Sequence, residues 1–287
     1  MDTIRVALIG AGEMGSAIGA RLRERGARVV TSLQGRSSAS AQRVREARLE
    51  VAENDRELVD GADFVLSIVP PGRALEVAHR LVEPLAALSR KPLYVECNAV
   101  APESARAILA VLQRSACRFA DAGIIGGPPA AGYDGPHIYV SGPEAAQVQR
   151  LAEYGLTIRV LAGEVGAASA LKMSYAGITK GLTAIGAAMM LDASRAGVAE
   201  ALRRELEESQ PQIFAWLSRQ VPRMYPKAYR WVAEMEEIAS FSRDDPGTEA
   251  AYRGFARFYE QVAELYERRN GDTDPFPAIS AVVAGGK

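Results

Sequence analysis

The chain has 287 residues, enough for two domains, and its 34 Lys and Arg residues nearly cancel 35 Asp and Glu residues. That balance argues against a protein that grips nucleic acid or an anionic membrane surface through a basic excess. Two cysteines, Cys97 and Cys117, and two histidines, His79 and His137, are too few for a disulfide framework or a multi-histidine metal centre.

In chain order, the first 160 residues alternate short β-rich runs with helical patterns, which predicts βαβ units and a parallel sheet. Met1 leads almost directly into the first strand, leaving no room for a signal peptide. Strands are expected at 5–9, 28–32, 64–68, 93–96, 118–122, 138–141 and 157–161. Helices are expected at 14–25, 38–47, 55–59, 72–88, 102–114 and 143–154. From about residue 166 the pattern turns wholly helical, at 166–195, 198–207, 209–219, 223–241 and 247–268, followed by a loose tail rich in Gly, Asp and Pro. The expected organisation is an α/β Rossmann-type doubly wound domain over 1–164 and an all-α domain over 165–287. The most apolar long segment, 176–193, is interrupted by Lys180 and Asp192, so no membrane span is expected and the protein reads as cytoplasmic.

The first predicted strand feeds G-A-G-E-M-G, residues 10–15, which opens a helix. In that context Gly10 permits a tight turn, Gly12 lets the backbone approach a pyrophosphate, and Gly15 lets helix and strand pack closely. Glu13 and Met14 lie between the glycines, at the helix N-terminus that would face the phosphates. An NAD-preferring site ends its second strand in Asp or Glu; here the chain reads T-S-L-Q-G-R-S. Arg36 and Ser37 offer a guanidinium and a hydroxyl where a 2′-phosphate would sit, so the expected cofactor is NADP(H), with NAD(H) the weaker alternative. Val69 and Pro70 form a stiff loop after the strand at 64–68, placed to lie along a dinucleotide. Asn98 follows the next strand and reads equally as a ligand to cofactor or substrate and as a helix cap before Pro102.

Four pieces in matching order, G-A-G-E-M-G at 10–15, I-V-P-P at 68–71, D-A-G-I-I-G-G at 121–127 and G-A-A-S-A-L-K at 166–172, resemble the β-hydroxyacid dehydrogenase superfamily. That superfamily includes 6-phosphogluconate dehydrogenase, hydroxyisobutyrate dehydrogenase and the imine reductases. The segment K-A-Y-R-W-V-A-E-M-E-E-I-A at 227–239 resembles the C-terminal domain of a poorly characterised phosphogluconate-dehydrogenase-like branch. The resemblance implies that Lys172 is the general acid/base during hydride transfer. It also implies that the 121–127 segment is a substrate loop, with Gly126 and Gly127 as backbone donors. Two departures stand out: Ala176 replaces the asparagine expected four residues after the lysine, and Ile125 replaces a serine.

Helical spacing puts Lys172, Tyr175, Ala176 and Thr179 on one face, with Lys180 at its edge. Tyr175 is a second candidate proton donor, Thr179 a replacement for the missing asparagine, and Lys180 a clamp for a substrate carboxylate or phosphate or a nearby cation that lowers the pKa of Lys172. The helix at 166–195 is apolar around most of its circumference, which predicts burial, either under the other helices or against a second subunit. The superfamily commonly buries this helix between its two domains and forms dimers whose sites lie at the subunit border, so the resemblance implies a homodimer. Residues 223–235 mix charge and aromatic area, as a substrate cleft or as a plain amphipathic helix. The expected activity is an NADPH-dependent oxidoreductase acting on a small hydroxy acid or carbonyl substrate. Alternatives are an imine reductase, an oxidative decarboxylase of a sugar acid, and a non-catalytic NADPH-binding sensor.

Overall fold

A computed structural model describes residues 3–269 and residue 282. The chain forms two compact units, Met1–Met173 and Ser174–Lys287.

The first unit is built on eight strands: β1 (Arg5–Ile9), β2 (Arg28–Ser32), β3 (Glu50–Ala52), β4 (Phe64–Ser67), β5 (Leu93–Glu96), β6 (Arg118–Ile125), β7 (His137–Ser141) and β8 (Thr157–Val160). They form one sheet in the order β3-β2-β1-β4-β5-β6-β7-β8. Its helices are α1 (Glu13–Glu24), α2 (Ser38–Glu46), α3 (Asp55–Val59), α4 (Ala74–Ala86), α5 (Pro102–Leu112) and the short α6 (Ala145–Val148). Side chains alternate across a strand, so β1 sends Val6 and Leu8 into a core with Ile18, Leu22 and Val44. Ala7 and Ile9 enter the opposite core with Leu58, Leu81 and Ile108. Burial on both faces explains why these strands read as continuous apolar runs.

Three departures from the sequence reading matter for the site. The three-residue β3 is too short to carry a periodic signal, and it was not expected. The sheet is parallel from β3 to β6; β7 then runs antiparallel to β6, and β8 pairs parallel with β7. Finally, β6 continues through Ile125, whose pairing with His137 holds it in the sheet. Most of the expected substrate loop is therefore strand, and only Gly126 and Gly127 begin a loop. At the other chain ends of loops, Pro71 opens a single 3₁₀ turn, Pro71–Arg73, and α4 proper starts at Ala74.

The long helix α7 (Ala167–Arg195) contains the division between the units. In the second unit it is followed by α8 (Ala199–Ser209), α9 (Pro211–Met224), α10 (Ala228–Phe241) and α11 (Pro246–Arg268). Small residues set its packing there: a methyl group at Gly186 would come within 2.5 Å of Leu217 Cδ2, and one at Gly177 within 2.9 Å of the Tyr252 hydroxyl. Burial of α7 under the other helices is incomplete: Tyr175, Ile178, Ile185 and Met189 are exposed in the single chain, Ile178 at 71%. The mixed segment 223–235 is internal in part. Tyr225 and Met235 are buried, Trp231 meets Tyr259 edge-on at 5.2 Å, and Glu234 is ion-paired with Lys180. The loose tail expected after 268 lies, apart from Arg269 and Val282, outside the described residues. Among the described residues no helix is long and apolar enough to cross a membrane.

Candidate active site

The strand order reverses between β1 and β4, and in open α/β sheets the crevice outside the carboxyl ends of such strands takes the ligand. There Ile68 N donates to Ile9 O at 2.8 Å, drawing the two loops together. Gly10 turns with φ +96°, and a Cβ on it would sit 2.2 Å from Ile68 O. A Cβ on Gly15 would sit 1.9 Å from Gly10 O, so both glycines are required by the fold itself. Gly12 is different: nothing lies within 4 Å of its Cβ direction. It stands at the start of α1, where no side chain caps the helix, and its carbonyl is held by Ser16 N and Oγ at 2.9 and 2.7 Å. A backbone of that shape, open to one side at a helix N-terminus, fits a pyrophosphate. Glu13 is exposed, whereas Met14 turns its side chain toward the core and offers the site only backbone.

At the end of β2, Arg36 is half-buried beside a cleft that Gly10, Ser32, Gln34 and Arg80 also line. Its pKa is lowered first by burial and then by the nearby positive charges of Arg80 and Arg73. Arg80 lines the cleft with Arg36, and the charge of Arg73 is felt there too, although Arg80 is tied to Asp55 and Arg73 to Glu76. Sequence reading found only Arg36, because Arg73 and Arg80 come from the turn before α4 and from α4 itself. Ser37 is the N-cap of α2, its hydroxyl accepting from Ser40 N at 3.3 Å.

Asn98 is 3% exposed, and both ends of its amide are used. Oδ1 accepts from Val69 N at 2.5 Å and Nδ2 donates to Ser67 Oγ at 3.0 Å. The cap reading is therefore wrong: α5 starts at Pro102 after Ala101 with no side-chain cap. Asn98 instead braces the Val69–Pro70 loop. Beneath it lies Glu96, fully buried, with Oε1 accepting from Asn98 N at 3.1 Å. Burial pushes its carboxyl up to about 8 against the Asn98 N–H, and the charge of Asp121 adds to the rise.

Lys172 approaches the same sheet from α7. Its Nζ donates to Ile124 O at 2.8 Å, and burial alone lowers its pKa to about 8, with no contribution from a neighbouring cation. Close approach depends on Gly123, where a Cβ would meet Ala168 O at 2.8 Å and Lys172 Cβ at 2.9 Å. Gly126 adopts φ +126° directly after Ile125, and Gly126 and Gly127 are both exposed. The helix start is fixed by a residue that sequence reading passed over. Asp121, fully buried on β6, accepts at Oδ2 from Ser141 Oγ, Gly166 N and Ser169 N (3.0, 2.9 and 3.0 Å) and at Oδ1 from Ser169 Oγ (2.6 Å). Ser141 Oγ in turn accepts from Ala168 N at 2.9 Å. Beyond the 121–127 motif, the sequence signal is a polar residue interrupting or ending an apolar run: Ser67, Glu96, Asp121 and Ser141 are register partners across β4 to β7.

Further along α7, Tyr175 is 48% exposed. Thr179 Oγ1 bonds back to Tyr175 O at 2.9 Å. Ala176 is buried. Lys180 is ion-paired with Glu234, and its ammonium lies 5.2 Å from the centre of the Trp231 ring. The sequence offered no sign of that pairing, since the partners are 54 positions apart.

Fold and loop together define a protein of the NAD(P)-binding class. The model of the NAD binding domain of 6-phosphogluconate dehydrogenase matches residues 5–154, just over half of the chain, and the chain belongs to that family. A domain of unknown function, DUF1932, matches residues 193–262. The chain is 28% identical over 239 residues to an uncharacterised 28.5 kDa protein of Methanothermus fervidus, covering 83% of this chain and 90% of that one. Over 140 residues it is 29% identical to 3-hydroxyisobutyrate dehydrogenase of Pseudomonas aeruginosa, covering 48% and 46%. Among solved structures, the conserved protein MTH1747 of unknown function, described as structurally similar to 3-hydroxyacid dehydrogenases, aligns with a TM-score of 0.66. It is 28% identical, with 93% of this chain and 99% of that one covered.

Proposed function

We propose that the chain is an NADPH-dependent oxidoreductase acting on a small hydroxy acid or its carbonyl counterpart, with Lys172 as general acid/base. The observation that carries this reading is Lys172 itself, half-buried at the carbonyl of Ile124 with a pKa lowered to about 8. A lysine near neutrality can both take a proton and return it, and a positioned acid/base contributes about 10²–10⁴-fold to rate. The nicotinamide, when bound, supplies or accepts the hydride. Lys172 Nζ takes the proton of the substrate hydroxyl in oxidation and gives it back to the carbonyl oxygen in reduction. The bond to Ile124 O uses one of its three N–H directions and leaves the others for a substrate.

The remaining assignments follow from position. Gly10, Gly12 and Gly15, with the backbone of Glu13 and Met14, would cradle the pyrophosphate. Arg36, backed by Arg80 and Arg73, would take the 2′-phosphate, and Ser37 would present the start of α2 to it. Val69 and Pro70 would lie along the dinucleotide, held by Asn98. The backbones of Gly126 and Gly127 would meet a substrate carboxylate beside the apolar Ile125. Tyr175 and Thr179 are assigned the proton-donor and hydrogen-bonding roles on α7. Lys180 is assigned no anion, because Glu234 already offsets its charge; this weakens the sugar-acid decarboxylase reading. The apolar Ile125 and Ala176 favour one second reading, reduction of an imine without a carboxylate, although an ammonium at Lys172 opposes an iminium.

The two parts of the chain, 1–164 and 165–287, are assigned cofactor binding and substrate binding with dimerisation. Tyr175, Ile178, Ile185 and Met189 recur at spacings of three, seven and four along α7 and form the face offered to a second copy. The decisive experiment screens hydroxy acids, keto acids, sugar acids and cyclic imines by NADPH absorbance, then repeats the best substrate with Lys172→Ala. Turnover should fall by about 10²–10⁴-fold with NADPH binding retained. Unchanged turnover removes Lys172 from the mechanism, and NADPH binding without turnover of any substrate favours a sensor.

A further inference from the structure

A helix begins with four backbone N–H groups that lack intrahelical partners, and a side chain just before the first turn usually satisfies some of them. At α7 the chain enters through Gly166, with φ +107°, and one of those donors, Ala167 N, finds a local acceptor in Glu164 O at 3.1 Å. Three others are taken from the sheet: Gly166 N and Ser169 N by Asp121 Oδ2, and Ala168 N by Ser141 Oγ. The Ser169 hydroxyl closes on the other oxygen of Asp121, and the Ser141 hydroxyl bridges back to the first. This knot of buried groups ties α7 to β6 and β7. On the same strand, three residues beyond Asp121, Ile124 O holds the ammonium of Lys172. Gly123 between them admits the helix backbone at contact distance.

We propose that Asp121 is the positioning residue for Lys172. Its carboxylate fixes the depth and rotation of the first turns of α7 on β6, and so fixes where the lysine Nζ stands. The Lys172–Ile124 contact alone does not do this, since a lysine stem has four rotatable bonds and one hydrogen bond leaves it free to swing. With the helix start locked, the stem is packed along Gly123 and the amine is kept out of water. The proposal rests on the acid/base reading of Lys172 only for its catalytic consequence.

The test uses the full chain, which has five lysines, Lys91, Lys172, Lys180, Lys227 and Lys287, each labelled with ¹³C at Cε. A Lys172→Met variant assigns the resonance, and the label is titrated by NMR in wild type, Asp121→Asn and Ser169→Ala. Asparagine presents an amide N–H to donors that need an acceptor, so it breaks the knot while nearly preserving volume. In Asp121→Asn the Lys172 midpoint should climb back toward the ordinary lysine range. At a fixed alkaline pH its deprotonated fraction should then fall by about tenfold or more. The other four lysines should not move, NADPH affinity should stay within about twofold, and kcat should fall by about a hundredfold. Ser169→Ala, which removes a single bond to Oδ1, should shift Lys172 in the same direction by less, and it decides the question if Asp121→Asn does not fold. An unchanged Lys172 titration in a folded variant overturns the proposal. A shifted titration with turnover intact leaves the positioning role standing and removes the acid/base one.

Discussion

Glu96→Gln should make the protein more stable at pH 8 and abolish a pH dependence that the wild type carries. The carboxyl of Glu96 is buried at the end of β5, and burial raises its pKa from 4.5 to about 8. In the unfolded chain it is deprotonated above pH 4.5, whereas the folded chain holds the proton until about pH 8. Between those values the native state binds one more proton than the unfolded state, so stability falls as pH rises, by about 1.4 kcal/mol per pH unit for this group alone. Summed over the window, the wild type loses about 5 kcal/mol by pH 8 relative to pH 4.5. Glutamine has the shape of the neutral acid and keeps an oxygen for Asn98 N, so it forms the same core without that penalty. Urea denaturation of both proteins at half-unit steps from pH 5 to 8, at constant ionic strength, gives the two slopes. The upper limit matters, because above pH 8 Lys172, whose folded pKa lies below its unfolded value, contributes with the opposite sign. Their difference should be negative and of order 1 kcal/mol per pH unit. Parallel stability curves would refute the reasoning, for they would mean that Glu96 is already ionised in the folded protein and has partners sufficient to keep it so.

Two further outcomes follow from the structure. Arg36→Ala should weaken NADPH binding by about 10–100-fold, the worth of charged hydrogen bonds to a phosphate, while NADH binding changes little. Fluorescence titration with both cofactors checks it, and equal losses for the two would show that Arg36 does not read the 2′-phosphate. Sedimentation of the wild type should give a dimer that Ile178→Asp, a charge placed at the most exposed apolar position of α7, converts to monomer. A wild type that sediments as a monomer at every concentration removes that face from consideration.

Much of the fold was legible because its signals are local. Gly10 and Gly15 follow an apolar strand and precede a helix, and the contacts that demand glycine there involve the same loop and Ile68. Lys172 was legible through its resemblance to a family motif and its small apolar neighbours. What escaped notice depends on residues far apart in the chain. Asp121 caps a helix that starts 45 positions later, Glu234 neutralises Lys180 from 54 positions away, and Asn98 reaches back 29 positions to Val69. Local pattern also ended the expected strand at residue 122, one short of Gly123. In the fold it keeps its place in β6 because a helix needs the room.

The knot at Asp121 also bears on where this chain can be cut. Composition changes near residue 165, and a gene fragment would naturally be designed to end or begin there. A fragment ending at 164 removes the Gly166 and Ser169 groups that serve the carboxylate of Asp121, leaving only Ser141, and uncovers the part of β6 around Gly123 on which α7 lies. A strand face built to receive a helix is then left open to water. The α/β part therefore owns the first turns of α7 as firmly as any of its own strands, and a soluble truncation has to carry the helix at least past Ser169.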